Sequence, residues 1–165
     1  MKKYHIRKAK PSDADGISNV HINSWKTTYK GIVSDGYLES LTVEDRRVKW
    51  EAILTGSHQT YVCELYNGDI AGFVSIGKER DEQFEGELYA IYLLKEYQRH
   101  GIGSALFKFA MSALKSKGHS NMLVWVLKEN PSKYFYYSFK PVVVKQQKIS
   151  IGGDDYDEEG LLFNL

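Results

Sequence analysis

Residues 88–94, LYAIYLL, form a nearly uninterrupted apolar run, and no other stretch constrains the fold as strongly. Such a run fits a central strand buried on both faces. The stretch EYQRHGIGSALFKFAM follows almost directly, and there Gly101 and Gly103 open a segment with helical periodicity. Leu106, Phe109, Ala110, Ala113 and Leu114 make one apolar stripe, Lys108, Ser112 and Lys115 face away, and Gly118 ends the helix. A buried strand feeding an amphipathic helix requires a sheet with helices packed on it, a mixed α/β architecture.

The flanking segments extend that pattern. YHIRKAK reads as a first strand, stopped by Pro11, with Ser12 as the cap of a helix that runs to Gly31. On that helix Ile17, His21, Trp25 and Tyr29 recur at four-residue steps and share a face. SDGYLESL and TVEDRRVKWEAIL read as one or two further helical pieces. Thr42 caps the second, with Asp45 three residues on, and Val48, Ile53 and Leu54 form its apolar side. TYVCELY and IAGFVSIG are strands around Asn67-Gly68-Asp69, where Asn-Gly supplies the positive φ angles of a tight hairpin. NMLVWVL is another buried strand. NPSKYFYYSF reads as a short helix, with Asn130 at the cap and Pro131 at the first helical position. VVVKQQKISI and LLFNL are expected strands, with GGDDYDEEG turning between them. No repeat, low-complexity run or linker interrupts the 165 residues, so a single domain over residues 1–165 is expected.

Charge and cysteine content narrow the function classes. Lys and Arg number 22 and Asp and Glu 21, a formal charge of +1, so no broad basic field advertises a nucleic acid partner. No window approaches the length of a membrane span, and MKKYHIRKAK lacks the apolar core of a signal peptide, so a cytoplasmic protein is expected. The single cysteine, Cys63, would share a strand face with Tyr61 and Leu65 and reads as a small buried hydrophobe rather than a nucleophile. No Cys/His cluster has zinc spacing, and no metal is expected.

The glycine turn places free backbone N–H groups at the positive end of a helix, an arrangement that binds anions. Taken alone, two glycines fit a tight strand-to-helix connection as well. A triphosphate-binding loop needs a G-x-x-x-x-G-K-[ST] pattern, and GIGSAL has neither the lysine nor the spacing. A dinucleotide fingerprint needs Gly or Ala where Leu106 stands, which leaves a Rossmann-type oxidoreductase a weak alternative. Gln98-Arg99-His100-Gly101-Ile102-Gly103, in contrast, resembles the Q/R-x-x-G-x-G/A pyrophosphate loop of the GNAT superfamily of acetyl-CoA-dependent N-acetyltransferases. Asn130, Pro131, Phe135 and Tyr136 are similar to that superfamily's second motif, N-P-x-x-x-F-Y, at the right separation. The two motifs together cover residues 87–139. Lys140-Pro141 departs from the pattern, because many members have glycine after this helix.

The resemblance implies a single central, mostly antiparallel, splayed sheet of about six or seven strands flanked by helices, and acetyl-CoA as co-substrate without a metal. It implies that the backbone of Gln98 to Gly103, with Ser104, cradles the pyrophosphate, that Arg99 and His100 add charge, and that the backbone of Ile91, Tyr92 and Leu93 pairs with the pantetheine arm. It assigns Tyr136 as general acid for the departing thiolate and a cofactor contact, Glu87 as general base, directly or through water, and Asn130 as a contact to the pantetheine arm. For the acceptor it points to Trp25 and Tyr29 as a wall and to Glu85 in the acidic loop as an attraction for a cationic amine. The expected activity is direct acetyl transfer in a ternary complex to the primary amine of a small molecule or peptide. The alternative is a non-catalytic acyl-CoA-sensing module with a protein partner. A homodimer through VVVKQQKISI is a further expectation.

Overall fold

The computed structural model describes residues 3–165. Its strands are β1 (Tyr4–Lys8), β2 (Gln59–Leu65), β3 (Ile70–Lys78), β4 (Gly86–Leu93), β5 (Asn121–Leu127), β6 (Val142–Ile151) and β7 (Asp154–Asn164). Its helices are α1 (Ala14–Thr28), α2 (Asp35–Ser40), α3 (Val43–Thr55), α4 (Ile102–Ser116) and α5 (Lys133–Tyr137). The strands form one sheet in the order β1-β2-β3-β4-β5-β7-β6. Every pairing is antiparallel except β4–β5, whose parallel contact covers only Gly86↔Met122, Glu87↔Leu123 and Leu88↔Val124. Beyond those pairs the two strands part. The mixed, mostly antiparallel and splayed sheet is the one expected.

The parting has a local cause. β3 pairs Ile76 with Leu88 and Ser75 with Ala90, which leaves Tyr89 as a bulge. A bulge bends its strand and increases the twist, and this one sits where β4 leaves β5. It also shifts the side-chain alternation by one, so Glu87 shares a face with Ala90 and Tyr92. Leu88, Ile91 and Leu93 pack on the opposite face.

Each face of the sheet has its own core. On one, Leu106, Phe107, Ala110 and Leu114 of α4 pack against Val74, Ile76, Met122, Val124, Leu161 and Phe163. Phe107, fully buried, is central, whereas Phe109 of the expected stripe is half-buried and meets the Tyr61 ring edge-on at 4.9 Å. On the other face, Ile17 and Val20 of α1 and Trp50 and Leu54 of α3 cover Val62 and Phe73. A smaller cluster joins Tyr29, Val33 and Leu38 to Leu127.

Several local expectations need correction. Thr42 does cap α3, accepting the Asp45 N–H at 3.2 Å, but Trp50 and Leu54 face the core while Val48 and Ile53 are exposed. Asp13, not Ser12, organises the start of α1. Its carboxylate accepts the Lys10 N–H and pairs with Arg7 at 2.8 and 2.9 Å. In the β2–β3 hairpin only Gly68 has positive φ, and Asn67 acts through its side chain, accepting the Asp69 N–H at 3.1 Å. The loop is therefore Tyr66–Gly68 rather than a two-residue turn. At the C-terminus the turn is only Gly152-Gly153, at φ 61° and 89°, and β7 begins at Asp154. Its polar residues alternate on an edge hairpin, where Lys148 of β6 faces Asp157 at 3.4 Å. β6, the segment expected to make a dimer contact, is a sheet edge carrying exposed Val142, Val143 and Ile149. No described helix is long and apolar enough to cross a membrane.

Candidate active site

A groove of about 1340 Å³ opens where β4 and β5 part. At one end is the first turn of α4. Gly101 adopts the left-handed conformation (φ 81°) that ends the loop, and Arg99 before it is also left-handed at φ 65°. The Ala105 N–H reaches the Gly101 carbonyl at 3.1 Å, so the N–H groups of Ile102, Gly103 and Ser104 have no carbonyl within the helix. Those free donors and the helix dipole favour an anion. At Gly103 a side chain would point into open space, the nearest atom to its missing Cβ being Phe135 Cε2 at 3.9 Å. Arg99, Gly101, Gly103 and Ser104 line this end. The His100 side chain is exposed and outside the lining, and Ile102 is buried in the core beneath it.

The loop is tied to the strand by Gln98, whose Nε2 donates to the Leu93 carbonyl at 3.0 Å. The Leu94 N–H donates to the Ala71 carbonyl on β3, and backbone alternation then turns the polar groups of Leu93 and Ile91 toward the opening. Apart from the Leu93 carbonyl held by Gln98, an unpaired strand edge thus runs from the α4 turn into the middle of the groove. Asn130 and Tyr136 line the same groove. The Asn130 carbonyl oxygen of the side chain accepts the Ser132 N–H at 2.8 Å and shapes the tight turn leading into α5, which begins at Lys133. Tyr136, 8% exposed, rests on the rings of Phe107 and Phe135. Burial first, then the neighbouring Tyr92, pushes its phenol well above the usual value.

The opposite wall comes from α1. Trp25 Nε1 donates to the Tyr92 hydroxyl at 3.0 Å, and the Trp25 and Tyr29 rings lie 4.4 Å apart. Burial pushes the Tyr29 phenol up, and so does Tyr92, while Asn130 acts in the other direction. His21, on the same helix face, belongs to the core. It stacks on Tyr92 and its Nδ1 accepts the Trp50 Nε1–H at 3.1 Å. Burial pushes it down to about 3, so it stays neutral. Glu87, 1% exposed, lines the groove and accepts from the Arg80 N–H at 3.2 Å and from Nε at 2.9 Å. Glu85 lies elsewhere: its carboxylate accepts the Ser120 N–H and, at 2.7 Å, the Ser120 hydroxyl.

The groove also contains side chains that sequence reasoning did not single out. Tyr92 enters through its phenol and not, as expected, through its backbone: alternation turns its N–H and C=O to Phe73 of β3, and the Tyr89 bulge turns its ring toward α1. Arg80 comes from the acidic loop. Trp125, Gln147 and Glu158 come from β5, β6 and β7. Glu158 fell within the stretch expected to be a turn, and no local signal marks it. Among the described residues, no cluster of His, Cys, Asp or Glu could hold a metal ion.

Free amides at a helix N-terminus, a left-handed glycine and an open strand edge form one continuous surface. It fits a ligand with a phosphate end and an amide-bearing arm. Residues 24–139 match the Acetyltransferase (GNAT) family. The chain is 41% identical over 159 residues to the uncharacterized N-acetyltransferase YuaI of Bacillus subtilis, covering 94% of this chain and 90% of that one. It is 30% identical over 136 residues to a spermidine N(1)-acetyltransferase of Thermoplasma acidophilum, covering 80% and 83%. The PaiA N-acetyltransferase of Thermoplasma acidophilum in complex with coenzyme A superposes with a TM-score of 0.76 at 25% identity, over 96% of this chain and 98% of that one. The chain therefore belongs to the GNAT family and is an acetyl-CoA-dependent N-acetyltransferase.

Proposed function

We propose that the acceptor is the primary amine of a small molecule or peptide and that the acetyl group passes to it directly in a ternary complex. Acetyl-CoA supplies the activated acetyl group: its C–S bond breaks as the new N–C bond forms, the amine gives up a proton, and the thiolate takes one. The amides of Ile102 to Ser104, with Arg99, hold the phosphates, and the open edge at Ile91 and Leu93 orients the arm. The Ile91 N–H is suited to donate to the acyl oxygen. Glu87 receives the amine proton, directly or through water, and Trp25 and Tyr29 form a wall for the acceptor. A thermoplasmal relative is a spermidine acetyltransferase, which supports a small cationic amine among the acceptors.

The observation that carries this mechanism is Tyr136. Tyr136 lines the groove with its phenol near that of Tyr92, and burial makes it hold its proton until a stronger base, the departing thiolate, draws it. A double-displacement route through an acetyl-cysteine is disfavoured, because Cys63 is fully buried on β2 and burial pushes its thiol up to about 11. Tyr136→Phe should lower kcat by about 100-fold or more, with acetyl-CoA affinity changed by no more than about twofold. Unchanged turnover in a thiol-release assay would remove Tyr136 from the acid role.

A further inference from the structure

Glu158 is a buried carboxylate, 7% exposed, in the wall of the groove. One of its oxygens accepts from Gln147 Nε2 at 2.6 Å. It makes no ion pair with any described cation, in contrast to Glu87, whose charge Arg80 balances. A buried charge without a counter-charge is costly unless a ligand supplies one. Ser24 adds a second observation on the same groove: its hydroxyl is buried, 2% exposed, and has no hydrogen-bond partner.

The topology places Glu158 on the acceptor side. It is in register with Leu127 and so shares its sheet face, and Leu127 packs with Tyr29. The Tyr29 phenol neighbours Tyr92, Tyr136 and Asn130, at the point where the acetyl group is transferred. Glu158 is one strand beyond β5, so its carboxylate stands roughly 5–10 Å to the side of the β4–β5 split. Trp125, on the same face two residues before Leu127, also lines the groove and offers a ring to a cation.

We propose that Glu158 seats a second, non-reacting ammonium of the acceptor, so that the substrate is a diamine or polyamine acetylated at its other end. The nitrogen that attacks must be unprotonated, and a carboxylate that binds by charge holds a nitrogen in its protonated form. Glu158 therefore serves the nitrogen that is not acetylated, leaving the reacting one to Glu87. The assignment rests on the acetyltransferase reading of the groove and adds the substrate class to it.

The test is calorimetric titration of the coenzyme A-loaded protein with 1,4-diaminobutane and with 1-aminopentane, which has nearly the same shape and one charge fewer. The protein should bind the diamine at least about tenfold more tightly, and Glu158→Gln, which keeps the side-chain volume and the Gln147 contact, should abolish that preference while leaving 1-aminopentane unchanged. In turnover the same variant should raise KM for the diamine with kcat nearly unaltered. Equal binding of the two amines, no diamine binding, or a diamine preference retained in Glu158→Gln would overturn the assignment. A separate titration with coenzyme A alone tests the underlying reading: absent coenzyme A binding defeats that, whereas normal binding with no diamine preference defeats only the role of Glu158.

Discussion

Single side chains in this protein act mainly through how their charge is balanced. Burial alone would raise the Asp13 carboxyl, but Arg7 and the Lys10 N–H outweigh it and hold the group below the usual carboxylate value. A depressed carboxyl contributes stability that is present above its unfolded value, near 3.9, and lost as pH falls through the folded one. Asp13→Asn should therefore destabilise the protein by about 1–3 kcal/mol at pH 7, since it leaves Arg7 and a backbone donor poorly paired. In urea unfolding, the gap between wild type and variant should close below about pH 4. A gap independent of pH would mean that the loss is one of shape and not of charge. Asp13 was visible in the sequence only as an acid near a helix start. Its partner Arg7 lies on β1, so the pairing depends on how the chain enters α1.

At the scale of elements, α4 and its loop separate two reasons for a glycine. Gly101 is required by its own backbone, at φ 81° and with nothing near its missing Cβ. Gly101→Val should cost about 1–2 kcal/mol in stability, the price of a left-handed L-residue, as well as weakening coenzyme A binding. Gly103 is helical, and the space beside it is the groove. Gly103→Leu should leave the melting temperature nearly unchanged and reduce coenzyme A affinity by at least about tenfold, by blocking the approach to the free amides. Melting curves and calorimetry on the two variants check both statements, and equal losses of stability would refute the distinction. The strand, the glycine turn and the helix were legible because their signals are local: an apolar run, two glycines and a 3.6-residue period. The interior of the stripe was less legible, since Phe107 and Phe109 are both apolar and only the packing against Phe163 and Phe139 selects Phe107.

For the whole molecule, ligand and fold are linked through the split sheet, because coenzyme A in the proposed placement bridges the α4 turn, the β4 edge and α5. At a hundredfold excess over Kd it should stabilise the native state by about 2.7 kcal/mol. For a chain of this length that raises Tm by roughly 5–11 °C. NADH should give no shift, and a rise with NADH but not coenzyme A would contradict the proposed use of the groove. The sequence by itself determined the α/β class, the glycine turn ahead of α4, the Asn130–Tyr136 motif and the family, because these depend on residues close together in the chain. Tertiary structure alone decided which way Tyr92 faces, that Arg80 balances Glu87 while Glu85 is held by Ser120, and that Glu158 lines the groove. A one-residue bulge reverses side-chain alternation without leaving a mark in composition, and β7 reaches β5 only through pairings across more than thirty residues of chain. Such contacts are set by sheet order and register, which no short window of sequence contains.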